Sequence, residues 1–313
     1  MSTVSSGRRR SEAPADRVGA ALCLLSAAGF GAMAIFGKLA YEAGVSTLTL
    51  LFVRFALATV IFAVLLVIRP SLAASLRGAG GRALATGFGL GAIGYATQAG
   101  LFFAALQRLD ASLLALVLYT YPAWVMLGSF ALGREHPTRR RVLALGLSSA
   151  GLVVLLAGAA AGSVDPAGVA MGIGASLAYT VYILVADRAG LDIAPLALTA
   201  LVCAGATCSF AITGLLSGAL QRDIPAEGWL WLGLIAVVST ALPIVAFFAG
   251  LARVGPSAAA ILSSFEPVVT VALAYLAFNE ILSGVQIAGA ALVLGAAVLI
   301  ASPTRTASPV PPD

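Results

Sequence analysis

Apolar residues in this chain come in long unbroken runs. Ten runs, bounded by charges or turn-forming residues, cover 18–40, 46–68, 83–105, 111–132, 142–160, 167–186, 193–216, 228–251, 257–279 and 284–302. A helix crossing a bilayer consumes roughly 20 residues, so each run is long enough for one crossing. The pattern predicts an all-α integral membrane protein with ten transmembrane helices. The connections are short and leave no room for an extramembrane domain. Segment 303–313, rich in Pro, Ser and Thr, reads as a disordered tail.

Composition agrees. Of the 313 residues, 60% are hydrophobic and 10% charged, against roughly 45–50% and about 25% in soluble domains. An ordinary water-soluble globule is excluded, and the mean hydropathy of +1.03 points the same way. Cys23, Cys203 and Cys208 all lie in apolar stretches, where a thiol behaves as a small hydrophobe, so no disulfide framework is expected. The net charge of +5 sits on short loops and does not indicate nucleic acid. Segment 1–17 mixes Arg8, Arg9 and Arg10 with Glu12 and Asp16 and has no small-residue cleavage site before the first run, so it reads as a cytoplasmic tail.

Positive charge sets the orientation. With the N-terminus inside, the inner segments carry fourteen of the eighteen basic residues, among them Arg69, Arg77, Arg82, Arg134, Arg139, Arg140, Arg141, Arg188 and Arg253. Outer loops carry only Arg108 and Arg222. Lys38 lies near the outer end of the first run, where it is expected to snorkel to the headgroups, and Arg54 lies inside the second. Both termini are therefore expected in the cytoplasm.

The two halves repeat. A constant offset of 145 aligns residues 102–135 with 247–280 without a gap and gives nine identities, including Phe102/Phe247, Arg108/Arg253, Ser112/Ser257, Pro122/Pro267 and Glu135/Glu280. Each half, 18–160 and 167–302, holds five runs. An odd number forces the halves into opposite orientations, and inverted repeats place a site near the midplane and allow alternating access.

Two five-helix halves, the Ser112, Pro122, Glu135 spacing echoed by Ser257, Pro267, Glu280, and an arginine early in the second run resemble the drug/metabolite transporter superfamily, EamA type. The resemblance spans about residues 18–302. Within the superfamily the chain is most similar to bacterial exporters of aromatic amino acids, a branch also associated with cationic drugs such as methyl viologen. What the resemblance implies is efflux of small metabolites, commonly amino acids, across the bacterial inner membrane.

Of 31 charged residues, only Arg54 and Glu266 fall deep inside runs. An ionisable group at membrane depth is costly and marks a functional site by default. Glu266 lies roughly 14 Å from the inner end of its run and Arg54 roughly 12 Å from the outer end of its own, depths at which the two can form an ion pair. Three readings of Glu266 stand: a site for a substrate amine or a proton, a structural partner of Arg54 or Lys38, and a protonated passive residue. Its counterpart at the offset is Tyr121, and a carboxylate facing a phenol suits a ligand with an ammonium group and an apolar body. Pro122 and Pro267 directly follow Tyr121 and Glu266, each removing a helical hydrogen bond, so each is a hinge or a bend.

Tyr95, Gln98 and Phe102 share one face of the third run, directed to a cavity or to an interhelical hydrogen bond by Gln98. Tyr119, Tyr121, Trp124, Tyr179, Tyr182 and Phe265 sit away from the headgroup belts and either stack on a ligand or pack. Ser263, Ser264 and Thr270 add hydroxyls near Glu266. Gly87/Gly91 and Gly168/Gly172 are close-packing pairs. The GxGxxG of Gly89, Gly91 and Gly94 follows no strand and is not a nucleotide site.

His136 is the only histidine, so no histidine triad or multi-histidine metal site is possible. No cofactor or metal is expected. The expected partners are a small-molecule substrate and membrane lipid, with one chain supplying both halves as a monomer. Runner-up readings are a cationic-drug exporter, a carrier of phosphorylated sugars, and an integral-membrane enzyme or scaffold. The phosphate carrier is disfavoured because only Arg54 is a deep cation.

Overall fold

A computed structural model describes residues 17–133, 138–160, 164–189 and 191–301. The expected tails, apart from Arg17, lie outside the described residues, as do Glu135 and His136. The side chain of Ser257 is likewise not described. All regular structure among the described residues is helical.

Among the described residues, nine helices are long and apolar enough to cross a membrane: helix 1 (Arg17–Glu42), helix 2 (Thr47–Ile68), helix 3 (Gly81–Leu106), helix 4 (Ala111–Ala131), helix 5 (Arg139–Gly158), helix 6 (Pro166–Ala189), helix 7 (Pro195–Ser217), helix 8 (Ala226–Val254) and helix 9 (Ala258–Phe278). Helix 10 (Gly284–Ile300) is apolar but shorter, roughly 25 Å at 1.5 Å per residue. A short helix, Pro70–Gly78, joins helices 2 and 3. The ends follow local rules. Ser46 accepts the Thr49 N–H to cap helix 2, prolines open helices 6 and 7, and left-handed Gly218 and Asn279 close helices 7 and 9.

Among the described residues, five helices are irregular at mid-depth, three of them broken and two widened. Helix 1 breaks at Ala32. Helix 4 breaks at Tyr119–Thr120, just before Tyr121 and Pro122. Helix 9 breaks at Ser264–Phe265, just before Glu266 and Pro267. These last two breaks fall at the same place in each half, 145 residues apart. Helices 3 and 8 instead widen into π turns at Leu90–Tyr95 and Val237–Ala241.

Packing pairs helix 1 with 8, 3 with 6, 2 with 7, and 5 with 10. Large apolar side chains such as Val60, Val64, Leu216 and Leu276 point outward and are more than half exposed, as a lipid-facing surface requires. Glycine sets the closest approaches. A Cβ on Gly91 would lie 2.0 Å from the Val202 carbonyl oxygen, and one on Gly205 2.2 Å from that of Phe88. Gly91 of the GxGxxG is thus a helix 3–helix 7 contact. A Cβ on Gly89, two residues earlier, meets nothing within 4 Å.

The chain reverses at each helix, so its ends differ in charge. Arg69, Arg77, Arg82, Arg139–Arg141, Arg188 and Arg253 gather at one end; Glu42, Asp110, Asp165, Asp223, Glu227 and Glu280 gather at the other. Gly91→Ala should lower the thermal midpoint of the detergent-purified protein by the equivalent of about 1–3 kcal/mol, whereas Gly89→Ala should not lower it. Equal midpoints for the two would contradict the packing.

Candidate functional site

Two connected cavities lie between the halves. The inner compartment, about 130 Å³, reaches Arg54, Gln98, Phe102 and Thr270. The vestibule, about 790 Å³, runs past Tyr182, Cys203 and Thr199 to Leu191, Ile193 and Ile300 at the arginine-rich end. Phe30, Tyr95, Tyr119, Tyr121, Tyr179 and Glu266 line both, forming a collar where the compartments meet. A site of this volume, mostly apolar with a few polar groups, is the usual form of a small-molecule pocket.

The interruptions put the collar in place. Tyr121 and Glu266 are each the first residue of a half-helix that starts at mid-depth with Pro next, so both side chains leave the helix where it bends. Tyr119 donates through its hydroxyl to the Ser263 carbonyl, tying helix 4 to the break in helix 9, and the same hydroxyl neighbours the Glu266 carboxyl. Ring contacts link Tyr119, Tyr121, Tyr179, Tyr182 and Tyr95 in an unbroken series, the closest being Tyr121–Tyr179 at 4.8 Å. Five tyrosines from both halves thereby share one wall.

Arg54 is 2% exposed. Its Nε donates to Thr240 Oγ1 at 3.0 Å, its guanidinium lies 4.8 Å from the Phe55 ring and 5.4 Å from that of Phe103, and the Tyr95 hydroxyl is a further neighbour. Thr240 donates in turn to the Ile235 carbonyl five residues back, inside the π turn. The ion pair with Glu266 that their depths allow is not formed. Ion pairs form elsewhere, Lys38–Glu280, Lys38–Asp110 and Arg108–Asp165 among them. Arg54 turns instead to helix 8 and to the aromatic rings, while Glu266 sits in the collar.

Other expected residues divide. Tyr95, Gln98 and Phe102 face the inner compartment together, and Ser263 reaches the vestibule. Trp124 and Phe265 line neither cavity: the Trp124 indole donates to Thr120 Oγ1, and Phe265 is half exposed on the outer surface. Ser264 bonds back to the Ala260 carbonyl. Thr270 donates to the Gly31 carbonyl at the edge of the cavity. Thr240 was not among the expected residues, although the 145 offset applied to Tyr95 leads to it.

Lys38 does not snorkel. It donates to Glu280 at 2.7 Å, with side-chain exposures of 20% and 7%. Left-handed Asn279 turns the chain so that Glu280 faces helix 4, where its carboxylate also accepts the Ala111 and Ser112 N–H groups and the Ser112 hydroxyl. These are orphan donors at a helix N-terminus, where negative charge is favoured. Burial alone would push the Glu280 carboxyl up. The hydrogen bonds from Lys38, Ser112 and Ala111 and the Lys38 charge outweigh it and hold the group below its ordinary 4.5. A carboxylate lowered in this way stabilises the fold above the ordinary value and loses that contribution only as pH falls through the lowered one. Two further ties between halves lie at the same end. Gln221 accepts from the Ser46 N–H and donates to the Gly44 carbonyl, and Arg108 pairs with Asp165 at 2.8 Å.

This arrangement, apolar helices around a largely apolar cavity with a few polar groups, is that of a multi-pass membrane protein with a small-molecule site. The profile of the EamA-like transporter family matches residues 17–157 and again 166–302, and the chain belongs to that family of the drug/metabolite transporter superfamily. It is 30% identical to an uncharacterized transporter of Archaeoglobus fulgidus over 289 residues, 91% of this chain and 96% of that protein. An uncharacterized transporter of Synechocystis sp. is 30% identical over 184 residues, 56% of this chain and 54% of that one. A solved crystal structure superposes with a TM-score of 0.63 at 18% identity, covering 90% of this chain and 95% of that one, a likeness of fold.

With Cys23, Cys203 and Cys208 replaced by alanine, a cysteine at Thr199 should react with a membrane-impermeant maleimide applied at the arginine-rich end much faster than one at Ala34 beyond the collar. Equal rates would mean that the collar does not separate the two compartments.

Proposed function

We propose that the protein is a secondary transporter that exports amino acids, aromatic and other apolar ones included, and related small metabolites across the bacterial inner membrane by alternating access. The observation that carries this reading is the tyrosine collar with one carboxylate, Glu266, at mid-depth between the halves. Glu266 takes the substrate ammonium group, the faces of Tyr95, Tyr121 and Tyr179 take its apolar body, and Gln98 and Ser263 supply hydrogen bonds.

The architecture proposed is ten transmembrane helices in two inverted five-helix repeats, 18–160 and 167–302, with both termini cytoplasmic. Three observations support it. The family profile matches each half separately, the helix pairs 1–8, 3–6, 2–7 and 5–10 are unchanged when the halves are exchanged, and the breaks before Pro122 and Pro267 recur at the offset. The arginine-rich end then faces the cytoplasm. The vestibule loads from that side, while Glu280, Gln221 and Arg108 hold the far side closed. Pro122 and Pro267 act as hinges when the halves rock, and one chain suffices. The linked tyrosine faces also favour a second reading, an exporter of cationic aromatic drugs, which the same flux assay distinguishes by substrate.

Proteoliposomes carrying wild-type protein should move labelled amino acid, and Glu266→Gln should lower that flux and flatten its pH dependence. Wild-type flux from Glu266→Gln between about pH 5 and 8 removes Glu266 from the mechanism. Absence of flux for every amino acid, metabolite and drug tried sinks the transport reading. Glu280→Gln should raise the reactivity of a cysteine at Ala34 toward reagent applied at the acidic end several-fold, because the amide loses the Lys38 pair. Unchanged reactivity would show that Glu280 does not hold that end closed.

A further inference from the structure

Arg54 is the cavity residue that an amine site leaves unexplained. It is nearly fully buried on helix 2 at mid-depth, and its side-chain partners, Thr240 and the Tyr95 hydroxyl, are both neutral. A guanidinium carries five N–H donors, and neither hydroxyls nor aromatic faces neutralise its charge. Among the described residues only Ser239 Oγ is a fully buried side-chain polar atom without a partner. The guanidinium donors that Thr240 and Tyr95 leave over therefore open onto the inner compartment, which Arg54 lines.

Charge balance narrows the ligand. Among the described residues lining the two cavities, Arg54 is the one cation and Glu266 the one anion, and they form no ion pair. The cavity thus presents one guanidinium and one carboxyl group that do not pair with each other, the carboxyl in the collar and the guanidinium beyond it. A simple amine would satisfy Glu266 and leave Arg54 bare. A simple acid would do the reverse. A phosphate ester would set about two negative charges against a single arginine and add repulsion from Glu266.

We propose that Arg54 is the carboxylate subsite, so that the substrate is a zwitterion held by its carboxylate on the free edge of the guanidinium and by its ammonium group on Glu266. The inference rests on the amino-acid reading above and narrows it to substrates with a free carboxylate. The planar fork of arginine matches a carboxylate with two parallel N–H···O bonds. Each of the two π turns brings a residue to this group: Tyr95 ends one and Thr240, 145 residues on, lies in the other. Both halves thereby grip the cation that reads the substrate.

The test uses full-length wild-type protein in proteoliposomes exchanging labelled phenylalanine. Phenylalanine methyl ester keeps the ammonium group and lacks the carboxylate; 3-phenylpropionate keeps the carboxylate and lacks the ammonium group. Each should compete at least about tenfold more weakly than phenylalanine. Arg54→Gln should bring phenylalanine down to the level of the ester and leave the ester itself unchanged. The proposal is overturned if the ester competes as well as phenylalanine in the wild type, a comparison that needs no variant to fold. It is also overturned if a folded Arg54→Gln protein keeps the preference for phenylalanine over its ester. Wild-type protein that moves amines but no amino acid sinks the amino-acid reading, and this assignment with it. Amino-acid exchange with an equally effective ester sinks this assignment alone.

Discussion

A guanidinium at the middle of a membrane protein has no water to solvate it and must be enclosed by protein. Arg54 imposes that constraint on its neighbours. The rings of Phe55 and Phe103 lie beside it, and Phe55 in turn packs against Phe210 and Tyr95. Tyr95 begins the series of tyrosine contacts that continues through Tyr182, Tyr179 and Tyr121 to Tyr119. The aromatic bed of the buried charge and the wall of the cavity are therefore one array. Helix 8 reaches the guanidinium through a π turn, a local irregularity of the kind that gathers at functional sites.

Closure at the acidic end depends on a different economy of groups. One carboxylate, Glu280, answers the Lys38 ammonium and three donors at the start of helix 4. Because helices 1 and 4 belong to the first half and Glu280 to the second, the contact joins the halves and not merely neighbouring turns. The vestibule at the opposite end is bounded mainly by apolar side chains such as Leu191, Ile193 and Ile300. Directional, charge-assisted bonds hold one end, and non-directional contacts line the other.

Much of the candidate site was legible because membrane depth makes polarity conspicuous. Arg54, Glu266 and Gln98 stood out against apolar runs, Pro122 and Pro267 marked breaks in their helices, and the face shared by Tyr95, Gln98 and Phe102 turned inward as its spacing indicated. Lys38 was misread because snorkelling is the lowest-cost course for an isolated lysine near a helix end, and nothing local announces that Glu280, 242 residues away, arrives beside it. For Trp124 and Phe265 the sequence left ligand stacking and packing both open, because position along a helix does not say which side a ring faces when the helix is broken within a turn of it; neither ring lines the cavities.

Run length and charge placement, acting through the bilayer's thickness and its exclusion of unpaired polar groups, were enough to determine that the chain is a bundle of apolar helices written as one unit twice. They also limited the deep charges to two. Tertiary structure alone decided that these two do not meet. It placed Glu266 in the collar and turned Arg54 toward Thr240, since the direction of a long side chain is settled by the neighbours that solvate it. It likewise decided which end is tied shut. Such contacts join residues more than a hundred positions apart, and no local pattern encodes them.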